Sequence, residues 1–339
     1  MKSWVKVALV SAVLAFVPVH AVAAEWKLVR LTFSSGWEAL PAVVAIERGF
    51  FAQEGLVASG LAATSAEAVL NSLQAGSTDF AVVPQRTLLV MAALQLPVKV
   101  VSMNGWGTEM ELVVPKDDSA VKSVADLKGK TIAVGMGSEA FPVLVRLLNR
   151  ANLRPGDVTV KYLSALDLVR AFPAKNRLAD AVLESRYYTS ALVKSDQGRP
   201  LLTHQDIVQA LGLVGAAPLV TRKALIETEP DTVQKFVNAW AKALKYIQQD
   251  PQDAAGLLMI FFHRQGVTVP EEMAKSWIGM TRYNRFVWSP ADIADAEYNG
   301  WGLKEGGILK VLPKLDGYIE NRFAEEALKK LEGPSPASR

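Results

Sequence analysis

Cysteine is absent from this chain of 339 residues, and histidine occurs only three times. The absence of cysteine excludes disulfide frameworks, thiolate metal sites and cysteine nucleophiles. It also excludes a bacterial lipoprotein anchor, which needs a cysteine at the cleavage site. No HExxH motif, Gly-x-Ser-x-Gly elbow, complete dinucleotide fingerprint or phosphate-binding loop is present. The sequence therefore predicts no metal site, no cofactor and no catalytic residue.

An excess of charge of either sign is also lacking. The chain has 37 basic and 34 acidic residues, and no cluster of Lys and Arg stands out. Neither nucleic acid nor an anionic membrane is therefore predicted as a partner. Half of the residues are hydrophobic, which is ordinary for a globular protein long enough to form two medium-sized lobes with their own cores.

The one long apolar run lies at the N-terminus. Lys2 and Lys6 precede an apolar stretch at 7–17, and small residues follow at 21–24. This layout is typical of a cleavable secretory signal, so residues 1–24 are predicted to be a signal peptide. A retained N-terminal anchor is the alternative, but the apolar stretch is shorter than the roughly 20 residues of a membrane span. Without a lipid anchor, the mature protein is expected to be free in a Gram-negative periplasm.

From residue 27 onwards, strand-like and helix-like segments alternate. Lys27 to Phe33 is typical of a strand, and Ser35-x-x-Glu38 then has the spacing of a capping box at a helix start. The same pattern recurs further along the chain. Further strands are predicted at 56–61, 79–83, 98–103, 111–115, 131–134, 158–163 and 179–183, and further helices after 64–67, at 87–94, after Ser138, after Ser164, and at 230–250, 252–262, 271–279 and 290–301.

Repeated β-α units predict α/β architecture, with mostly parallel sheets covered by helices on both faces. Two series of such units predict two lobes. The extended segments Leu112 to Pro115 and Gly215 to Val220 are predicted to be two hinge strands that join the lobes. The predicted boundaries are 25–114 with 218–332 for lobe 1, 115–217 for lobe 2, and 333–339 for a flexible tail.

Small polar residues follow three predicted strands at points where a helix is expected to begin. They are Ser34 with Ser35, Thr64 with Ser65, and Gly137 with Ser138. Ligands of open parallel sheets bind beyond the carboxyl ends of the strands, where the N–H groups of helix N-termini favour anions. The three corners together predict a site for a carboxylate, sulfonate or phosphate group. The alternative is that each Ser or Thr only caps its own helix.

Five longer side chains are candidates for the same site. Gln85 and Arg86 follow a predicted strand, and Arg86 could hold an acidic ligand through two parallel hydrogen bonds or be a solvated residue in a first helical turn. Glu184 ends a lobe 2 strand and could accept from an amino or amide group, or from the next helix N-terminus. Trp37 and Trp106 lie in predicted loops, where the rings could stack on a ligand or pack against the rim of the lobe.

Several longer motifs carry a resemblance to a known family. They are Ala45-x-x-x-Gly49-Phe50-Phe51-x-x-Glu54-Gly55-Leu56, Ala75-Gly76-x-x-Asp79-Phe80, Asp126-Leu127-Lys128-Gly129-Lys130 through Gly137-Ser138, and Pro230-x-x-Val233-x-x-Phe236 through Tyr246-Ile247. With these motifs, nearly the whole mature chain resembles the periplasmic substrate-binding proteins of nitrate, sulfonate, taurine and thiamine-pyrimidine type ABC importers.

The resemblance implies a two-lobed type II periplasmic-binding fold that closes on a ligand between the lobes. It also implies a monomer that delivers a small polar, anionic organic or sulfonate- or nitrate-like compound to a membrane permease with a cytoplasmic ATPase. The positions expected near the cleft are Ser34 to Trp37, Thr64, Ser65, Gln85, Arg86, Ser138 and Glu184. A periplasmic ligand sensor and a fold-related enzyme acting on a pyrimidine-like or aromatic molecule are the alternative functions.

Overall fold

The computed structural model describes residues 26–34, 37–63, 66–107, 109–135, 138–172, 177–212, 215–266 and 268–332. The strands are β1 (Lys27–Ser34), β2 (Leu56–Ala63), β3 (Phe80–Val82), β4 (Val98–Trp106), β5 (Met110–Pro115), β6 (Thr131–Gly135), β7 (Thr159–Leu163), β8 (Ala181–Ser185), β9 (Gly198–Leu202) and β10 (Ala216–Arg222).

The α-helices run between the strands and then continue as a C-terminal series. They are α1 (Leu40–Glu47), α2 (Phe50–Gln53), α3 (Ala66–Gln74), α4 (Gln85–Ala93), α5 (Ala140–Arg150), α6 (Ala165–Leu168), α7 (Arg186–Lys194), α8 (His204–Leu211), α9 (Lys223–Thr228), α10 (Pro230–Gln249), α11 (Pro251–Arg264), α12 (Glu271–Met280), α13 (Pro290–Glu305) and α14 (Arg322–Glu332). Of the helices described, none is long and apolar enough to cross a membrane.

The strands form two five-stranded sheets, which gives the predicted two-lobed α/β architecture. The first sheet has the order β2-β1-β3-β10-β4 and the second β7-β6-β8-β5-β9. In the first sheet β10 runs antiparallel to both of its neighbours, and in the second sheet β5 does the same. The other four strands of each sheet therefore point the same way, so the prediction of mostly parallel sheets is confirmed.

The pattern of apolar residues explains why these segments form buried elements. Every residue of β3 and β5 is buried, as expected for strands covered on both faces. In α10 the apolar residues recur at helical spacing, and Val233, Phe236 and Trp240 lie inside the core. The ring of Phe236 stacks on Phe80 of β3 at 3.7 Å between centroids, which holds α10 against the first sheet.

The chain crosses between the sheets at two adjacent places. It passes from Trp106 to Met110 and returns between Leu211 and Ala216. The N–H of Gly107 donates to the carbonyl of Gly215 at 2.8 Å, so the crossings are hydrogen-bonded to each other. Both glycines have positive φ, at 101° and 77°, a region that other residues rarely adopt.

The predicted position of the crossings was wrong by a few residues. Leu112 to Pro115 form part of β5, which pairs with β8 and β9 of the second sheet. Residues 216–220 likewise form part of β10 in the first sheet. The sequence could not separate a crossing from a strand here because both are extended and apolar, whereas the pairing partners belong to distant parts of the chain.

Helix α13 packs on both lobes, although its segment was predicted to belong to lobe 1. A Cβ on Gly300 would lie 3.3 Å from Leu89 of α4, and a Cβ on Gly302 would lie 3.5 Å from Val145 of α5. The small residues allow the backbone of α13 to approach both helices closely. Accordingly, one buried hydrophobic cluster contains residues of both sheets and of α13.

An ion-pair cluster ties three strands of the first sheet together at the edge away from the crossings. The carboxylate of Asp79 accepts from the Arg30 backbone N–H at 3.0 Å, from the Arg30 guanidinium at 2.8 and 3.0 Å, and from the Arg222 guanidinium at 2.8 Å. Burial disfavours the charged form of Asp79, but the hydrogen bonds from Arg30 and Arg222 outweigh it and lower the pKa of this carboxyl.

We expect Asp79→Asn to lower the free energy of unfolding at pH 7 by about 2 kcal/mol, between the values for exposed and buried pairs. A lowered pKa means that the carboxylate stabilises the fold above its ordinary pKa and that this stabilisation disappears as the pH falls through the lowered pKa. Urea unfolding at pH 7 and at acid pH measures both effects. Asp196→Asn is the control, because this carboxylate is 77% exposed in its pair with Lys116. Equal losses in the two variants at pH 7 would contradict the role of the cluster.

Candidate functional site

The carboxyl ends of the two sets of parallel strands meet at one interface between the lobes. Strand β4 ends at Trp106, and after three intervening residues the reversed strand β5 begins at Met110. The carboxyl edge of the first sheet therefore lies next to the carboxyl edge of the second. This is the place where ligands bind in open α/β sheets, and the first turns of α4 and α5 both reach it.

A hydrogen bond joins these two first turns across the lobes. The backbone N–H of Arg86 in α4 donates to the Glu139 carboxylate beside α5 at 2.7 Å. Such N–H groups have no partner within their helix and lie at the positive end of its dipole. The protein's own carboxylate thus occupies a donor that would suit an anion. Neither the pattern nor the resemblance singled out Glu139, whose only signal was an acidic residue next to a helix start.

The Glu139 carboxyl is buried, and its pKa is strongly shifted. Burial raises this pKa to about 7, and the backbone N–H and positive charge of Arg86 reduce the shift only in part. The negative charges of Glu38 and Glu184 contribute a further increase. Glu139 therefore titrates near neutral pH, which is a frequent property of groups in functional sites.

Glu184 lies at the end of β8, where the sequence placed it. Its carboxylate accepts the backbone N–H groups of Gly135 and Ser185, each at 2.8 Å. A Cβ on Gly135 would come within 2.3 Å of this carboxylate, so glycine is needed for the close approach. Burial raises the pKa of Glu184, and the hydrogen bonds from the backbone N–H groups of Ser185 and Gly135 oppose this increase.

Ser138 does not occupy the predicted N-cap position of α5. The cap residue is Glu139, whose side chain accepts no hydrogen bond from the N–H groups of α5 itself. The hydroxyl of Ser138 nevertheless accepts the N–H of Ala140 at 3.2 Å and donates to the carbonyl of Gly135 at 3.1 Å. The prediction was one residue early because the helix starts after a short turn that the sequence does not distinguish from a helical turn.

Gln85 is the first residue of α4 and is fully buried. Its Oε1 accepts from Nδ2 of Asn299 in α13 at 2.8 Å. Its Nε2 is also buried and has no hydrogen-bond partner among the residues that the structure describes. A buried amide donor without a hydrogen-bond partner destabilises the fold. The Gln85 amide lies next to the interlobe contact of Arg86, and its unused donor therefore requires an explanation.

The two candidate tryptophans are both packed against the protein. Trp37 begins a 3₁₀ turn after β1, and its ring meets Tyr283 edge-on at 6.5 Å between centroids. Trp106 was placed in a loop by the sequence, which is wrong, because it is the last residue of β4. Its ring packs against Trp288, with the Arg285 guanidinium 5.1 Å from its centroid. A ligand contact remains a prediction for both rings.

Four predicted site residues, namely Ser35, Thr64, Ser65 and Gly137, lie outside the described residues. Ser34 ends β1 and pairs with Ala63 at the end of β2, so this corner does lie at the carboxyl edge of the first sheet. The convergence of the three polar corners on one ligand remains a prediction.

A groove lined by elements of both lobes contains none of the predicted site residues. It has a volume of about 1060 Å³ and is lined by residues of α7, α8 and α12. On its wall the Glu109 carboxylate accepts from Ser276 of α12 at 2.6 Å and from Arg186 of α7 at 3.2 Å. Burial lowers the pKa of His204 in the same groove. In the described parts of the chain, no group of three acidic or histidine side chains could hold a metal ion.

Comparison with known proteins defines the class of the molecule. Its fold is that of the periplasmic binding proteins: the alkanesulfonate-binding protein SsuA from Xanthomonas axonopodis pv. citri, solved bound to MOPS, superposes with a TM-score of 0.69 at 20% identity over 88% of this chain and 100% of that one. The family model described as NMT1/THI5 like matches residues 38–254, and the chain belongs to this family. The resemblance predicted from the sequence is thereby confirmed.

Curated relatives match shorter parts of the chain. A protein of Escherichia coli (strain K12) named for the binding of aliphatic sulfonates is 29% identical over 126 residues, 37% of this chain and 39% of the relative. The taurine-binding periplasmic protein of the same organism is 26% identical over 231 residues, 67% of this chain and 68% of the relative. The first of these matches thus spans about two fifths of the relative's length.

We expect Glu139→Gln to remove a pH-dependent term from the stability of the protein. A carboxyl whose pKa is raised to about 7 contributes stability that is fully present below its ordinary pKa and is lost as the pH rises through 7. The variant should therefore match the wild type at pH 4, below the ordinary pKa, and be more stable at pH 8.5, by about 1–3 kcal/mol. Thermal unfolding across this range measures the difference, with the exposed Glu326→Gln as control. A variant less stable than the wild type at pH 8.5 would contradict the raised pKa.

Proposed function

We propose that this protein is the periplasmic solute-binding component of an ABC importer, which captures a small anionic compound between its lobes and delivers it to a membrane permease without chemical change. The ligand class is a sulfonate, a carboxylate or a nitrate-like anion. The observation that carries the proposal is the hydrogen bond from the backbone N–H of Arg86 to the Glu139 carboxylate. It identifies a helix N-terminus between the lobes that already binds a carboxylate, the kind of group that an anionic ligand would present.

Three further observations support this proposal. The family and fold are those of binding proteins, and the matched relatives are named for sulfonates and taurine. The lobes are joined by two short crossings, an arrangement that permits hinge motion between two rigid bodies. The guanidinium of Arg86 lies close enough to Glu139 and Tyr162 to influence their titration, so it adds a positive charge to the same interface.

In this proposal the ligand replaces Glu139 as the partner of the α4 N-terminus. A ligand anion and an ionised Glu139 repel each other, whereas a protonated Glu139 can donate a hydrogen bond to the anion. The pKa of about 7 places this exchange near neutral pH. Glu139 thereby acts as an internal competitor that keeps the donor satisfied when no ligand is present.

A thermal-shift screen of the mature protein against sulfonates, nitrate, carboxylates and amino-pyrimidines should give a clear shift with an anion, because a ligand at 100 times its dissociation constant adds about 2.7 kcal/mol of stability. Arg86→Ala should then weaken binding about tenfold by calorimetry, as expected when a charged hydrogen-bonding partner is removed. Arg150→Ala, at the far end of α5, is the matched control. Unchanged affinity in Arg86→Ala would exclude its guanidinium from the site, and a shift with amino-pyrimidines alone would exclude the anion class.

Affinity for the anion should rise as the pH falls from 8.5 to 6, because Glu139 becomes protonated over this range. The gain should approach about tenfold per pH unit above the pKa if only the protonated form binds. Calorimetry with ethanesulfonate, which stays ionised throughout, measures this dependence, and Glu139→Gln should flatten it. A stronger affinity at high pH would contradict the competition.

A further inference from the structure

A chain of buried polar groups leads from Gln85, next to the interlobe contact of Arg86 with Glu139, to the second lobe through α13. Arg146 of α5 donates to Oδ1 of Asn299 at 3.4 Å, and Nδ2 of Asn299 donates to Oε1 of Gln85 at 2.8 Å. Asn299 is 4% exposed and Gln85 is fully buried. The chain therefore joins the start of α4 in the first lobe to α5 in the second.

Hydrogen-bonding chemistry fixes the direction of every contact in this chain. Arginine only donates, so the Asn299 atom that faces Arg146 must be the carbonyl oxygen. The other end of the Asn299 amide is then the NH2 group, which can only donate to Gln85. Gln85 must therefore accept with Oε1, and its Nε2 donor is left over. This donor is the buried atom that has no partner among the described residues.

Arg146 is itself held firmly in place. Its guanidinium donates to the carbonyl of Leu211 at 2.8 Å, pairs with Asp295 at 3.3 Å and lies 5.5 Å from the ring centroid of Tyr298. Leu211 is the last residue of α8 and directly precedes the return crossing. The orientation of the Gln85 amide thus depends on groups of α5, of α13 and of the segment that enters the crossing.

We propose that Asn299 is a positioning residue that holds the Gln85 amide with its N–H groups directed to the ligand, so that the site selects an acceptor oxygen at this point. This inference rests on the proposed function. It adds a geometric requirement to the proposed ligand class: one oxygen of the anion must accept from Gln85 while another reaches the start of α4. A ligand that presents an amine here would leave two donors facing each other.

Reversal of the Asn299 amide provides a direct test. Asn299→Asp still accepts from Arg146 but can no longer donate to Gln85, so the Gln85 amide should turn and donate to the new carboxylate. Gln85 then presents Oε1 to the ligand. We expect the affinity for ethanesulfonate to fall at least about tenfold, because an acceptor would face the anion. Asp295→Asn is the matched control, since it removes the ion pair of Arg146 and leaves the Asn299 amide intact; it should change affinity less than twofold.

The side-chain amide signal of Gln85 in the 15N-resolved NMR spectrum reports the orientation itself. This signal, assigned by its loss in Gln85→Met, should shift when ethanesulfonate binds to the wild type. In Asn299→Asp it should be displaced in the ligand-free protein and should no longer respond to the ligand. If Asn299→Asp does not fold, Gln85→Met, which has a similar volume and no donor, should show the same loss of affinity.

The outcomes separate this inference from the proposed function. No binding of any anion by the wild-type protein would overturn the proposed ligand class, and the Gln85 signal of the ligand-free variants would then still decide the orientation. An unchanged signal in Asn299→Asp would overturn the inference. So would equal losses of affinity in Asn299→Asp and Asp295→Asn, because general damage at the contact of α13 with α5 would then explain both.

Discussion

The architecture depends on the two adjacent passages of the chain between its sheets. The hydrogen bond from Gly107 to Gly215 holds these passages side by side. The strand that follows each passage, β5 or β10, runs antiparallel to its neighbours in the sheet. The reversal brings the carboxyl ends of both sets of parallel strands to one interface, together with the first turns of α4 and α5. A pair of short crossings is an arrangement that permits hinge motion between two lobes, whereas α13 packs against both of them.

The candidate site between the lobes contains polar groups that the fold buries and only partly satisfies with hydrogen bonds. Glu139 and Glu184 accept backbone N–H groups, yet burial raises the pKa of both carboxyls. The Gln85 amide uses its oxygen and not its nitrogen among the described residues. Buried polar groups without hydrogen-bond partners lower the stability of the fold. These groups are gathered where the two lobes face each other, so a ligand with complementary donors and acceptors would supply the missing hydrogen bonds.

The elements with strong local signals could be predicted from the sequence. Helix α10 begins at Pro230 as expected, and Ser164 caps α6 by accepting the N–H of Asp167. By contrast, the segment 186–211, which forms α7, β9 and α8, was not predicted. Its two helices are short, at nine and eight residues, so each offers few turns over which a periodic pattern can be recognised. Strand β9 contains Gly198 and Pro200, residues that are typical of loops.

The sequence by itself determined the alternation of strands and helices, the number of lobes and the edge at which a ligand site should lie, because periodicity, helix caps and turn residues act over a few neighbouring positions. Only the tertiary structure decided which polar groups meet there. Glu139 reaches Arg86 over 53 residues of chain, and Asn299 reaches Gln85 over 214. Such pairs leave no local pattern, since the contact and the pKa shift exist only once both lobes have folded and excluded water from the space between them.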